Sequence, residues 1–440
     1  MPAPTGSESQ LGYKYATRLS SYGEDVGNAP VNNFIRFKSL SGMIPKRTFA
    51  ATENMDPSNQ SLKGQNVAAP INMKVSWQPD VNSLMRLIAH FCRKDPAITT
   101  PAGGTSSRQW VNVPFERGDS ANAAYIDSLL LEPYDGQDCP LIYGARVVGM
   151  GFKIAAGKLI DSDLDIMACQ DTYTSNATQI AINTYSGKPI IRGHWAQALV
   201  ASTLKVKVTA AAGGGFDGTV KWTTATYAGS TTIQIKFDTW YRIVLDDASR
   251  LGVSYTDDVW FCFPSSGGTT LAAGATPDEW SFTATRTPAS ASYSTRDVLQ
   301  AAGLEFSVGG AVYYVQSADV KLMNPGKPFM PAGTKYALTI QKGGRFKVSI
   351  TLDRDREDRD FIKKLISAEA FAVAVKLYGN NIEANIDEKF QIDIAAAQAA
   401  DVNRDVTTEL TLGEKVEVIG HRSGSTDIVS FTTIGTLTAL

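Results

Sequence analysis

The sequence has few of the residue types on which enzymes and metal sites depend. Its 440 residues include three histidines and four cysteines. The cysteines are scattered singly, and none stands at zinc-ligand spacing with a histidine. The nucleophile motif G-x-S-x-G and the phosphate-binding motif G-x-x-x-x-G-K-[ST] are both absent from the sequence. We therefore expect a protein that is not an enzyme and that has no catalytic residue, cofactor or metal site.

Charge of one sign and long apolar runs are also lacking. The 42 Lys and Arg residues nearly match the 44 Asp and Glu residues, whereas a protein that grips nucleic acid carries a basic surplus. No run approaches the roughly 18 apolar residues of a membrane span, so we expect no membrane insertion. The start of the sequence lacks the basic and apolar regions of a secretion signal. These features predict synthesis in a cytoplasm and reduced cysteine thiols.

What the sequence does contain is a pattern typical of a mainly β chain. Hydrophobic residues make up 43%, which is enough for a sizeable core. Apolar and polar residues alternate at 34–40 and at 71–77, as they do in half-buried strands. Asp80 is placed to cap a helix over 81–93, where apolar residues recur every three or four positions. Residues 1–33 are polar and predict an arm instead of a domain.

Three further segments complete the expected organisation. Residues 41–70 show no periodicity and predict a loop much longer than usual. Residues 200–290 contain short strand-like runs separated by turn residues, a spacing typical of an immunoglobulin-like β-sandwich. Beyond residue 298 the first pattern resumes, with a helix predicted at about 357–368 and two separate strands at 389–396 and 405–411.

An internal repeat is indicated by two short sequence matches. Residues 74–76 and 347–349 both read Lys-Val-Ser, and an Asp follows each four residues later, at Asp80 and Asp353. An amphipathic helix is predicted after each Asp. These matches predict two copies of one structural unit.

The second match lies downstream. Residues 154–156 and 394–396 both read Ile-Ala-Ala, and acidic residues follow both at the same spacing, 240 positions apart. The predicted domains are a first unit over 1–199, an inserted middle domain over 200–297 and a second unit over 298–440.

The first unit resembles the major tail tube proteins of long-tailed, siphovirus-like bacteriophages. The resemblance rests on the order of the strand at 34–40, a long polar loop that contains Glu53, the strand at 71–77 and the helix that begins at Asp80. It implies two tail-tube-type β-sandwich or barrel units, each with a short helix, around an inserted immunoglobulin-like β-sandwich. The typical family member is a single, shorter unit, so this chain departs from the pattern in its duplication.

The resemblance implies a structural virion protein that is made in the host bacterial cytoplasm and located in the tail. Copies would polymerise into stacked rings, predicted to be trimers with pseudo-sixfold symmetry, and form a tube. DNA would pass through the lumen without specific binding during ejection. Expected partners are other copies of the chain and tail proteins such as the tape measure, terminator and baseplate proteins.

The polar arm and the loops are suited to ordering on assembly, because they are too polar to fold alone. The resemblance thus implies that the long loop and its counterpart in the second unit make the contacts between rings. The candidate contact residues are Arg47, Phe49, Glu53, Met55, Gln60, Lys63, Gln65, Pro325, Lys327 and Phe329.

Two other functions remain open from the sequence. One is a different tail component, such as a terminator, baseplate or decoration protein. The other is a carbohydrate-binding adhesive protein built around the tryptophan-rich middle domain, although tryptophans of a sandwich more often pack in its core. The four tryptophans of that segment are Trp222, Trp240, Trp260 and Trp280.

Overall fold

The fold was obtained as a computed structural model. It describes residues 9–18, 24–25, 31–42, 48–50, 65–67, 70–115, 128–135, 139–172, 178–181, 189–194, 203–213, 216–224, 231–239, 241–243, 258–263, 271, 278–283, 288–300, 304–329, 337, 339–355, 359–383, 385–406, 412–424 and 426–438.

The chain is mainly β, as predicted, and its described residues form 31 strands and two helices. The first part of the chain contains β1 (Gln10–Arg18), β2 (Glu24–Asp25), β3 (Asn33–Ile35), β4 (Phe37–Ser41), β5 (Thr48–Ala50), β6 (Gln65–Val67), β7 (Ile71–Trp77), α1 (Val81–Cys92), β8 (Ala97–Thr99), β9 (Arg108–Asn112), β10 (Ser128–Tyr134), β11 (Leu141–Ala155), β12 (Asp161–Ala168) and β13 (Gln170–Thr172).

The middle and last parts of the chain are described in the same way. The middle part contains β14 (Thr178–Ala181), β15 (Ile190–His194), β16 (Thr203–Gly213), β17 (Phe216–Thr224), β18 (Thr231–Ile235), β19 (Tyr241–Ile243), β20 (Asp258–Cys262) and β21 (Glu279–Thr283). The last part contains β22 (Glu305–Val308), β23 (Ala311–Tyr313), β24 (Ser317–Met323), β25 (Gly326–Phe329), β26 (Thr339–Lys342), β27 (Lys347–Asp355), α2 (Asp360–Ser367), β28 (Phe371–Glu383), β29 (Ile386–Val406), β30 (Leu412–His421) and β31 (Ser430–Gly435).

In the first part of the chain, two groups of strands share the long strand β11. One group has the order β4-β7-β12-β11, and the other has the order β3-β1-β10-β11-β13. Alternation in β7 places Met73, Val75 and Trp77 in the core while Asn72 and Lys74 are exposed. The sheet therefore has one apolar face and one polar face, which is what the sequence pattern predicted for β7.

The same strand order recurs in the last part of the chain. One group has the order β24-β27-β30-β29, and the other has the order β23-β22-β28-β29-β31. Each long strand also carries a bulge at the same place relative to its neighbour. The bulge in β11 opposite β12 is at Val148, and the bulge in β29 opposite β30 is at Ala400.

This strand pairing changes the alignment of the two halves. Because the bulges correspond, residues of β11 and β12 match residues of β29 and β30 that are 252 positions later, instead of the 240 predicted. Ile394 lies inside the uninterrupted β29, whereas Ile154 precedes a turn, so the Ile-Ala-Ala match is coincidental. The two predicted strands at 389–396 and 405–411 were also wrong, since a single strand runs through Val406.

The two helices differ at their N-termini. The carboxylate of Asp80 accepts hydrogen bonds from the Ser83 backbone N–H at 3.0 Å and from its hydroxyl at 2.6 Å, so the predicted cap of α1 is confirmed. The corresponding prediction for Asp353 is wrong, because Asp353 lies within β27. Helix α2 begins instead after Arg359, which makes no side-chain cap hydrogen bond.

Two segments that were predicted to be an arm and a loop contain strands. Leu11 and Tyr13 of β1 are buried in the core, and β1 pairs with β10 along seven residues. Strands β5 and β6, within the predicted loop at 41–70, pair with each other as a hairpin. The second part has a matching hairpin, β25–β26, at the same place between its first two sheet strands.

The middle strands form a five-stranded group, β14-β21-β16-β17-β18, and a second group, β15-β20-β19. Strands β14 and β15 thus pair with middle strands, although the sequence analysis placed residues 178–194 in the first unit. Trp280 is fully buried, and its ring lies 5.2 Å from that of Phe263 in an edge-to-face arrangement. This tryptophan therefore belongs to the core.

Candidate assembly surface

The two parts of the chain are joined edge to edge. Strand β11 pairs in antiparallel fashion with β24 over seven residues, from Gly149 opposite Met323 to Ala155 opposite Ser317. The result is one continuous run of eight strands with the order β4-β7-β12-β11-β24-β27-β30-β29. The second set of four strands therefore continues the sheet that the first set begins.

Both outer strands of this run present an edge. Among the described residues, β4 pairs with β7 alone, and residues 398–406 of β29 pair with β30 alone. An open edge has backbone N–H and C=O groups available to pair with another strand. The run is thus extendable at both ends.

One face of the eight-stranded run is polar from end to end. Residues that alternate with the buried core side chains contribute exposed or half-buried charged groups from seven of the strands. The seven carboxylates nearly balance the six lysines. These residues are Asp161, Asp163, Asp165, Asp319, Asp353, Asp401, Glu417, Lys38, Lys74, Lys153, Lys321, Lys347 and Lys415.

Ion pairs cross this polar face between neighbouring strands. Lys153 Nζ lies 3.0 Å from Asp163, and Lys74 Nζ lies 3.6 Å from Asp165. The hydrogen bond to Asp163 raises the pKa of Lys153. Burial opposes ionisation of Asp163, but its hydrogen bonds with Lys153 and Ser76 together lower its pKa. Both groups therefore stay charged near neutral pH.

A second ion pair lies at the β4 end of the face. Lys38 donates a hydrogen bond to the carboxylate of Asp161, and this bond lowers the pKa of Asp161. A groove of about 800 Å³ also crosses the polar face over β11, β24, β27 and β30. The polar face is therefore concave at its centre, and several of its lysines are held by carboxylates.

The candidate contact residues in the second part lie on or beside the β25–β26 hairpin. Lys327 is exposed, Phe329 is 46% exposed, and the Pro325 carbonyl accepts a hydrogen bond from Gly343 N–H at 2.7 Å. The base of this hairpin packs against the first part of the chain, where Ile340 contacts Cys169 and Met167. The hairpin thus spans both halves, a role that its sequence did not indicate.

The candidates in the first part are covered incompletely. Phe49 lies on β5 opposite Asn66, and Gln65 lies on β6 opposite Ala50. The structure therefore brings these two backbone positions into one hairpin. The remaining candidates lie outside the described residues, namely Arg47, Glu53, Met55, Gln60 and Lys63.

The second part contains a buried ion network that sequence reasoning missed. Arg354 donates to Glu414 through Nε at 3.0 Å and through Nη2 at 2.8 Å, and both side chains are fully buried. Arg404 of β29 donates to the other oxygen of Glu414 at 3.1 Å. The Arg354 guanidinium also lies 4.7 Å from the ring centre of Phe361. By strand register, the first part has Trp77, Ser162 and Phe152 at the corresponding positions.

The chain matches no family model. A comparison with curated proteins found no significant relative either. The interpretation of the surface therefore rests on its own geometry.

Two further properties bear on what this surface can bind. Within the described ranges, no group of three or more His, Cys, Asp and Glu side chains is arranged to hold a metal ion. Neither helix of the described chain is long and apolar enough to cross a membrane. All four cysteines are buried thiols.

Proposed function

We propose that this protein is the structural subunit of a bacteriophage tail tube. Copies polymerise into rings of three chains with pseudo-sixfold symmetry, and the rings stack into the tube that delivers DNA. The observation that carries the proposal is the edge-to-edge junction of β11 and β24. It joins two sets of strands with the same order and leaves the outer strands, β4 and β29, with open edges.

The geometry of the junction favours a closed ring. Open strand edges are a template for pairing, and closing a sheet on itself removes them. A contact that repeats head to tail generates a ring when its rotation closes. Since each chain supplies two sets of strands, three chains supply the six that sixfold pseudo-symmetry requires.

The polar face is suited to line the lumen. DNA is a polyanion, and it binds to surfaces whose lysines and arginines are available for phosphate contacts. On this face carboxylates slightly outnumber lysines, and Lys38, Lys74 and Lys153 are paired with aspartates. Such a surface lets DNA slide past without specific binding.

The two hairpins are the proposed contacts between stacked rings. The hairpins β5–β6 and β25–β26 leave the sheet at equivalent places, and they contain or adjoin the candidate contact residues. Deleting residues 43–68 is expected to leave a folded subunit that no longer forms tubes. Tubes of normal length from this variant would contradict the assignment of the hairpin.

Electron microscopy of the purified protein tests the proposed function. We expect rings of three chains that stack into tubes as the protein concentration rises. A protein that stays monomeric at all concentrations, or a ring of six chains, would contradict the proposal. Three-chain rings that never stack would favour a tail terminator instead.

A further inference from the structure

We infer that the uncovered end of the second part of the chain is the docking surface for β4 of another copy of this chain. This end surface comprises residues 398–406 of β29, Ile366 of α2 and Ile419 of β30. The inference rests on the proposed function and deepens it, because it specifies the partner, the strand and the register. Its basis is that the chain contains a complete example of the same contact between its own two halves.

The internal contact has three components. First, β24 pairs with β11. Second, Asn324, which follows β24, donates from its side chain to the carbonyl of Phe91 in α1 at 2.7 Å. Third, the β25–β26 hairpin covers the end of β12, where Ile340 packs against Met167. One strand, one loop residue and one hairpin thus cover the exposed side of the first part.

The corresponding side of the second part is bare in the monomer. Met167 of β12 corresponds by register to Ile419 of β30, and Ile419 is 38% exposed. Helix α1 is almost entirely buried, whereas Ile366 of α2 is 80% exposed. Exposed apolar side chains beside an open strand edge are typical of an interface.

The internal junction also gives the expected register. Strand β4 corresponds to β24, because Ser39 pairs with β7 as Ser317 pairs with β27. Within the chain, Lys153 of β11 lies opposite Asp319 of β24. Transferred to the neighbouring copy, this pair becomes Asp405 opposite Ser41.

The sequence at the base of the hairpin agrees with this transfer. Gly326 approaches the bulge residue Val148 so closely that an added Cβ would lie 2.9 Å from its Cγ1. The corresponding residues between copies are Thr48 and Ala400. A larger residue replaces glycine where a smaller one replaces valine, so the combined volume is compensated.

Disulfide cross-linking tests the register. In the variant Ser41→Cys/Asp405→Cys, we expect a disulfide between chains and a covalent ring of three on a non-reducing gel. The matched control is Ser41→Cys/Asp401→Cys, in which the second cysteine is about 13 Å further along the strand, beyond the reach of a disulfide. Cross-linking of the control alone, or of neither variant in assembled rings, would overturn the inferred register and leave the proposed ring intact.

A second pair of variants tests the surface without cysteines. Ile419→Asp should abolish ring formation and leave a folded monomer, as measured by light scattering and circular dichroism. Ile98→Asp is the control, since Ile98 on β8 is 39% exposed and lies away from the surface. Rings of equal stability from both variants would overturn the docking surface. Absence of rings from the unmodified protein would instead contradict the proposed function.

Discussion

Helices α1 and α2 occupy equivalent places in the two halves of the chain, but they are covered very differently. Ten residues of α1 are buried, whereas Phe361 is the buried residue of α2. Helix α1 contacts β31 and β29 of the other half, and its C-terminal carbonyl at Phe91 is bonded by Asn324. The difference teaches that burial in this chain depends on a neighbouring unit, which the first half has and the second half lacks in the monomer.

The largest expected effect comes from the ion network that the second half has in place of an apolar cluster. Glu414→Ala should lower the free energy of unfolding by about 3–5 kcal/mol, because it leaves Arg354 buried without its carboxylate. Ser162→Ala, at the corresponding position of the first half, should be nearly neutral, because its buried hydroxyl has no hydrogen-bond partner. Urea denaturation of both variants checks this, and equal losses would contradict the correspondence.

The next effect separates the two helices directly. Leu87→Ala in α1 should destabilise the monomer by about 2–5 kcal/mol, because Leu87 is fully buried. Ile366→Ala in α2 should change monomer stability by less than about 0.5 kcal/mol and yet weaken ring formation. Denaturation of the monomer and a concentration series of ring formation provide the two measurements. A large loss of monomer stability from Ile366→Ala would show that α2 is already covered.

The smallest effect concerns an exposed contact between the two halves. Glu383 on β28 accepts hydrogen bonds from the backbone N–H groups of Thr105 and Ser107, and with the Ser107 hydroxyl these bonds lower its pKa. A lowered pKa in the folded state contributes stability above the ordinary glutamate pKa of about 4.3, and this contribution is lost as the pH falls. Glu383→Gln should therefore reduce stability at pH 7 and flatten its decline between about pH 5 and pH 3. An unchanged pH profile of thermal unfolding would contradict the contact.

Local features of the fold were predictable from the sequence. The cap at Asp80 and the strand β7 were correctly predicted because they depend on neighbouring residues and on a period of two. The full length of β29 was not predictable, since residues 397–404 have little strand propensity and are held extended by pairing with β30. The assembly surface was likewise inaccessible, because Gly149 and Met323 meet across 174 positions of sequence and no local pattern encodes their pairing.

The most direct test of the central claim is the number of chains in the assembled ring. Native mass spectrometry of the purified protein measures this number without labels or mutations. We predict a ring with the mass of three chains of 47.3 kDa each. A ring of six chains, or a stable monomer at every concentration, would contradict the claim that one chain carries two units of a self-closing sheet.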